Sequence, residues 1–212
     1  MKRLLSGLKN GIFFRGWADA LLCLAAAAAV YFVSGVYDRL NHGPYSLFLL
    51  TPLDSIIPLV KIFVIPYISL NLYVYATLIF FMLFRSEYFK SAALSMITLF
   101  IVSYVFYFFF QSYVARPQIQ GNDWLSELIR GVYASDNPYN DFPSLHTSIS
   151  TIIAFHWLKF DRRAGIPCAL WTALIILSTL FIKQHYIADA AAGLALALSA
   201  SYLYTRVFRA FH

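Results

Sequence analysis

Six apolar stretches recur along this chain, at 18–37, 67–84, 92–110, 143–158, 164–182 and 186–204. Each is close to the roughly 20 residues that a helix needs to cross a bilayer. The chain is 60% hydrophobic and only 12% charged, about half the roughly 25% charged share usual in soluble domains. A water-soluble globule is excluded, and so is intrinsic disorder, because this much apolar surface cannot be left in water. In lipid a spanning segment must satisfy its own backbone polar groups, so these stretches are helices. The expected fold is an all-α integral membrane protein, a six-transmembrane-helix bundle. Its 212 residues form a single membrane domain, 1–212, with no room for a separate soluble one.

Three segments fall outside these spans. Residues 1–15 set Leu4, Leu5, Leu8 and Ile12 against Lys2, Arg3, Lys9 and Arg15, the pattern of an interfacial amphipathic segment, with a frayed basic tail as the plainer alternative. The Ala-rich run that follows resembles a signal peptide but continues through Tyr31, Phe32 and Val33, and reads as an uncleaved span. Segment 44–66 is apolar but broken by Pro52, Pro58 and Pro66 and carries Asp54 and Lys61. It is expected to be re-entrant or interfacial. Segment 111–142 is a polar external loop in which Trp124, Leu125, Leu128, Ile129 and Val132 share one helical face, predicting a short helix at the interface. Cys23 and Cys168 lie inside apolar runs and behave as small hydrophobes, with neither a disulfide nor a metal spacing expected.

The net charge of +6 does not signal nucleic acid, because the basic residues flank apolar runs and form no patch. One set of ends and loops holds Lys2, Arg3, Lys9, Arg15, Arg85, Lys90, Lys159, Arg162, Arg163, Arg206 and Arg209. The other side holds Arg39, Lys61, Arg116, Arg130 and Lys183. The positive-inside rule therefore puts both termini in the cytoplasm. The opposite, external side carries Asp38, Asp54, Asp123, Glu127, Asp136 and Asp141, so a site is expected there. The expected location is multi-pass in a bacterial inner membrane, with the site facing the periplasm or exterior.

Two stretches on that side carry chemistry. Phe142-Pro143-Ser144-Leu145-His146-Thr147-Ser148 opens the fourth span, and Lys183-Gln184-His185-Tyr186-Ile187-Ala188-Asp189 opens the sixth. His185 and Asp189 are four apart, so the carboxylate can accept from one imidazole nitrogen and leave the other outward. Pro143 suits a first helical turn, which sets Ser144, Leu145 and His146 among free N–H groups that attract an anion such as phosphate. With Lys183 and Arg116 added, the set reads as phosphoryl transfer through a phosphohistidine. Plainer readings stay open: Asp189 pairing only with Lys183, Arg116 anchoring to headgroups, Ser144 simply capping its helix. His156 reads as a packed, hydrogen-bonded histidine, and His42 and His212 carry no pattern.

At these residues the chain resembles the type 2 phosphatidic acid phosphatase superfamily of lipid phosphatases and phosphotransferases, whose motifs are K-x6-R-P, P-S-G-H and S-R-x5-H-x3-D. Arg116-Pro117 matches the end of the first, Pro143-Ser144-Leu145-His146 the second, and Ser178, His185 and Asp189 the third. The resemblance implies that His185 is the nucleophile, Asp189 orients it and His146 is the general acid. It further implies that Arg116, Lys183, Ser144 and backbone amides near Leu145 hold the phosphate, with no cofactor and no metal. The chain departs at three places, with Phe109 for the first lysine, Leu145 for glycine and Thr179 for arginine. Lys183, four residues after Thr179, could replace one cation if that stretch is helical. Thr51-Pro52-Leu53-Asp54, P-S-L-H and K-Q-H-Y-x2-D together resemble the inositol phosphorylceramide synthase branch. Asp141 puts an anion near the phosphate site, and nothing in the sequence accounts for it beyond a helix N-terminal charge or a contact to a substrate hydroxyl.

The reading that follows is a lipid phosphatase at the external face acting on a membrane lipid phosphate. The alternative is a phosphotransferase that delivers the group to a lipid or alcohol acceptor. Two rivals are an ion or proton carrier, which the Leu-, Ile-, Phe- and Ala-filled spans oppose, and a family member that binds lipid phosphate without turnover.

Overall fold

A computed structural model of the protein describes residues 16–210. The amphipathic segment expected at 1–15 lies outside the described residues. The apolar runs are helical: α1 (Trp17–Ser34), the short α2 (Tyr37–Leu40), α3 (Pro52–Ile56), a 3-10 turn (Lys61–Phe63), α4 (Val64–Ile68), α5 (Leu70–Phe84), α6 (Ser86–Phe109), α7 (Trp124–Ser135), α8 (Leu145–Phe160), α9 (Arg162–Phe181) and α10 (Ile187–Ala210). Five helical stretches are long and apolar enough to cross a membrane: Trp17–Leu40, Lys61–Phe84, Ser86–Phe109, Arg162–Phe181 and Ile187–Phe208. The remaining long helix, α8, has 16 residues and falls short of that length. Among the described residues the only β pairing is two isolated bridges: Leu47 with Ser112, which ties the segment after α2 to the loop before α8, and Tyr113 with Tyr139, within that loop.

In lipid, helices associate through close packing of small residues more than through apolar burial. The bundle is accordingly built around α8, where Ile152 and Ile153 meet Leu70 and Val74 of α5, Met96 and Leu99 of α6, Ile175 of α9 and Ala197 of α10. Two glycines set the closest approaches. A Cβ on Gly165 would lie 2.5 Å from the Leu158 backbone, and one on Gly193 would lie 2.6 Å from the Ser144 carbonyl oxygen. Helix α1 lies at the edge of this core, packing Val30 and Val33 against it with half of its residues exposed, and meets α5 and α6 through Cys23, Phe81, Phe89 and Ala93. His156 is a packed histidine as expected, with Nδ1 2.8 Å from the Ile152 carbonyl and Nε2 2.9 Å from Ser91 Oγ.

Helix α10 runs on to Ala210, past the expected 204, and two further boundaries differ from expectation. Helix α6 begins at Ser86, six residues early, because polar groups of its first turns find partners inside the bundle: Lys90 pairs with Asp19 of α1, and Ser91 Oγ meets His156 Nε2. Segment 44–66 divides. Its second half winds into the apolar stretch leading to α5, since Pro66 lies in the first turn of α4, where its missing N–H has no helical acceptor to lose. Lys61 is kept from lipid by Asp123 Oδ2 at 2.8 Å and Ser126 Oγ at 2.7 Å. The expected helix in the 111–142 loop is α7, with Asp123 as N-cap.

Candidate active site

The two stretches singled out in the sequence meet. Ser144 is the N-cap of α8, its Oγ accepting the Thr147 N–H at 3.3 Å. Pro143 therefore precedes the helix and does not occupy its first turn, the expectation that a proline suits that turn having missed the stronger capping preference of the serine. The Phe142–Pro143 bond is cis. Tyr107 Oη donates to the Pro143 carbonyl at 2.8 Å, and the Ser144 N–H donates to the Asp189 carbonyl at 3.1 Å. With Gly193 against the Ser144 carbonyl, these contacts fix the start of α8 on the first turns of α10.

His185 sits in the tight connection between α9 and α10. Lys183 takes a left-handed conformation, φ 56°, which reverses the chain. The Gln184 and His185 N–H groups then both donate to the Thr179 carbonyl, at 2.9 and 3.1 Å. Asp189 Oδ2 accepts the Tyr186 N–H at 2.8 Å and stands 3.7 Å from His185 Nδ1. A second carboxylate shares that nitrogen, with Asp141 Oδ1 at 3.9 Å. Both distances exceed a formed hydrogen bond, a looseness common in sites without substrate. The His146 and His185 rings lie 5.9 Å apart between centroids, and Tyr67 stacks on His146 at 4.3 Å. With Nδ1 facing two carboxylates, Nε2 of His185 is the nitrogen turned away from them.

The two candidate cations part company. Arg116 bridges the external loop and the α9–α10 connection. It donates to the Asp136 carbonyl at 2.5 Å and to Gln184 Oε1 at 2.7 Å, stacks over Tyr133 at 5.1 Å, and keeps a buried Nε with no partner. Lys183 is directed elsewhere. Its ammonium donates to the Asp54 carbonyl at 3.1 Å and to the Ile57 carbonyl, so it clamps the α3 segment and is not brought to the imidazoles. The stretch is a left-handed turn where the substitution argument needed a helix. Burial lowers the Lys183 pKa from its ordinary value. Leu145 and His146 contribute first-turn N–H groups that precede any intrahelical acceptor.

Burial raises the Asp141 pKa well above the ordinary carboxylate value, and the neighbouring Asp189 charge raises it further. Around the imidazoles several other buried polar atoms have no partner: Asp141 Oδ2, Asp189 Oδ1, Gln184 Nε2, His185 Nδ1 and both amide atoms of Asn140. Native interiors leave few such atoms, and functional sites are where they collect. A chamber of about 480 Å³ opens beside the histidines, lined by His146, His185, Asp136, Asn140, Asn71 and Tyr37 among others.

In a comparison against known families, a model of the PAP2 superfamily matches residues 36–203, well over half of the chain. The chain belongs to the PAP2 superfamily. No curated protein matches it, and no solved structure does. PAP2 superfamily membership supports a phosphatase-type membrane enzyme. Within this PAP2 protein, sequence reasoning missed four side chains that the fold brings to the site. Gln184 links to Arg116, Tyr67 stacks on His146, Tyr107 holds Pro143, and Asn140 faces the chamber with φ 61°. Asn140 alone carried a local signal, as asparagine tolerates the left-handed region. Tyr67 and Tyr107 come from helices far along the chain, and Gln184, although next to His185, is marked only by its contact with the distant Arg116.

Proposed function

We propose that the protein is a metal-independent lipid phosphatase at the external membrane face, acting on a lipid phosphomonoester or diphosphate. In this reading α8 also crosses the membrane, as the fourth of six spans, both termini are cytoplasmic, and the site faces the periplasm of a bacterial inner membrane. His185 Nε2 attacks phosphorus, and the bond to the leaving oxygen breaks as His146 delivers its proton to that oxygen. Water then attacks the phosphohistidine, gives its proton to His146, and the P–N bond breaks to return free His185. Asp189 holds the Nδ1 side of the ring. Arg116, through Nε, and the Leu145 and His146 N–H groups receive the phosphoryl oxygens, where preorganised donors are worth several kcal/mol. Ser144 shapes that turn as its cap, and Lys183 positions the loop from behind.

The observation that carries this reading is a buried carboxylate at His185 Nδ1 together with an arginine that binds the adjacent Gln184 and keeps a spare donor. Purified protein in detergent is expected to release free phosphate from phosphatidic acid, phosphatidylglycerol phosphate or an isoprenyl diphosphate. His185→Ala should release none while remaining folded. Substantial release by that variant would overturn the nucleophile.

A second reading, transfer of a phosphate-linked headgroup to an alcohol as in inositol phosphorylceramide synthases, is favoured by the chamber wall. Asn71, Asp136 and Asn140 offer hydroxyl-binding groups and no cation. A new phospholipid formed only when an acceptor is supplied, with little free phosphate, would select it.

A further inference from the structure

Below the chamber the C-terminal parts of α1 and α5 line a groove. Ala27, Val30, Tyr31 and Ser34 of α1 recur at i, i+3, i+4 and i+7, and so do Tyr75, Leu78, Ile79 and Met82 of α5. Each set is one face of its helix. The faces flank a groove of about 210 Å³ floored by Phe89 of α6. Seven residues of helix make the groove about 10 Å long. Its lining is apolar apart from Ser34 and the tyrosines Tyr31 and Tyr75.

The groove adjoins the chamber, with Ser34 and Tyr75 lining both. One path therefore runs from His146 and His185, past the polar rim of Asn71 and Tyr37, down an apolar slot on the lipid-facing side. Ile79 and Tyr31 are half exposed or more there, so the slot opens sideways to the bilayer core. A second apolar groove, between Leu72, Phe80, Trp157 and Trp171, does not share this connection, since none of its lining residues lines the chamber.

We propose that the slot between α1 and α5 is the subsite for one hydrocarbon chain of the lipid phosphate, which reaches the histidines laterally from the membrane. The proposal rests on the lipid phosphatase reading and adds the route and the seat of the chain. It assigns to Ile79 and Ala27 a discrimination by chain length. The phosphate group itself reaches the histidines through the chamber above.

The test compares the full-length protein and Ile79→Trp, which fills the slot from its exposed side, on long-chain and dihexanoyl phosphatidic acid. The ratio of kcat/KM for long over short chains is expected to fall at least tenfold, while Ala28→Trp, lipid-facing on α1 outside the slot, leaves the ratio unchanged. Equal losses on both substrates, or none on either, overturn the proposal. A long-chain phosphatidic acid with a mid-chain diazirine gives a readout that needs no turnover. Labelling of His185→Ala protein concentrated in α1 and α5, and lost in the His185→Ala/Ile79→Trp double variant, supports the subsite even if the phosphatase reading fails. Labelling spread evenly over the lipid-facing helices overturns it. So does a chain-to-chain crosslink from a photoactivatable residue at Ile79, which would seat a second copy in the slot.

Discussion

Asp54 Oδ1 accepts the backbone N–H of Ile187 at 2.7 Å, so a carboxylate 133 residues away in sequence caps the helix that carries Asp189. Its other oxygen accepts the Thr51 N–H at 2.8 Å and closes a capping box on α3. One buried acid thus ends two helices at once, and holds the α3 segment against the turn that presents His185.

Asp54→Ala should lower stability by about 0.5–2 kcal/mol for the lost cap. Its rate should fall further than that of Asp54→Asn, which keeps an acceptor for Ile187. Thermal unfolding in detergent beside initial rates checks this. Equal behaviour of the two variants would show that the contact does not position the site.

Lys183→Met should cost stability and leave KM for the lipid phosphate nearly unchanged, because the ammonium serves the Asp54 and Ile57 carbonyls. A steep rise in KM with unaltered unfolding would return Lys183 to the phosphate.

Arg116 spreads its donors over Asp136, Asn137 and Gln184 while Nε stays unpartnered. A lysine cannot reproduce that fork. Arg116→Lys should lose on the order of 10²-fold in kcat/KM, the scale of one preorganised donor. Retention of most activity would place the phosphate contact elsewhere.

Asp141 and Asp189 flank the same nitrogen and should differ in kind. Asp141 is favoured in its protonated form, because burial and the Asp189 charge both raise its pKa. The folded protein therefore binds that proton more tightly than the unfolded chain. Stability from this group falls as pH rises from the ordinary carboxylate value of 3.8 toward the raised folded value. Asp141→Asn, an isostere of the protonated acid, should remove that slope and keep the rate within about tenfold, whereas Asp189→Asn should lose on the order of 10²-fold or more. Stability against pH for the three proteins decides it. An unchanged slope in Asp141→Asn would contradict the protonated form.

The helical fold was legible because lipid leaves few options: runs of 16 to 20 apolar residues with almost no charge must be helices. His185 and Asp189 were legible because both lie on one short stretch at helical spacing. The role of Lys183 was not, since its direction depends on a left-handed turn and on carbonyls of a segment some 130 residues earlier. Pro143 was misplaced because local preference allowed either it or Ser144 to begin the helix, and the Asp189 carbonyl contact to the Ser144 N–H accompanies the choice. The role of Asp141 became readable only once the loop before α8 was folded onto α10.

The central claim is that His185 carries the phosphoryl group during turnover. Protein mixed with phosphatidic acid bearing a radiolabelled phosphate, quenched within a single turnover and digested, should yield an acid-labile, base-stable label on the peptide containing His185 and none in His185→Ala. Phosphate release at full rate with no label on that peptide, or with the label on another residue, would contradict the account.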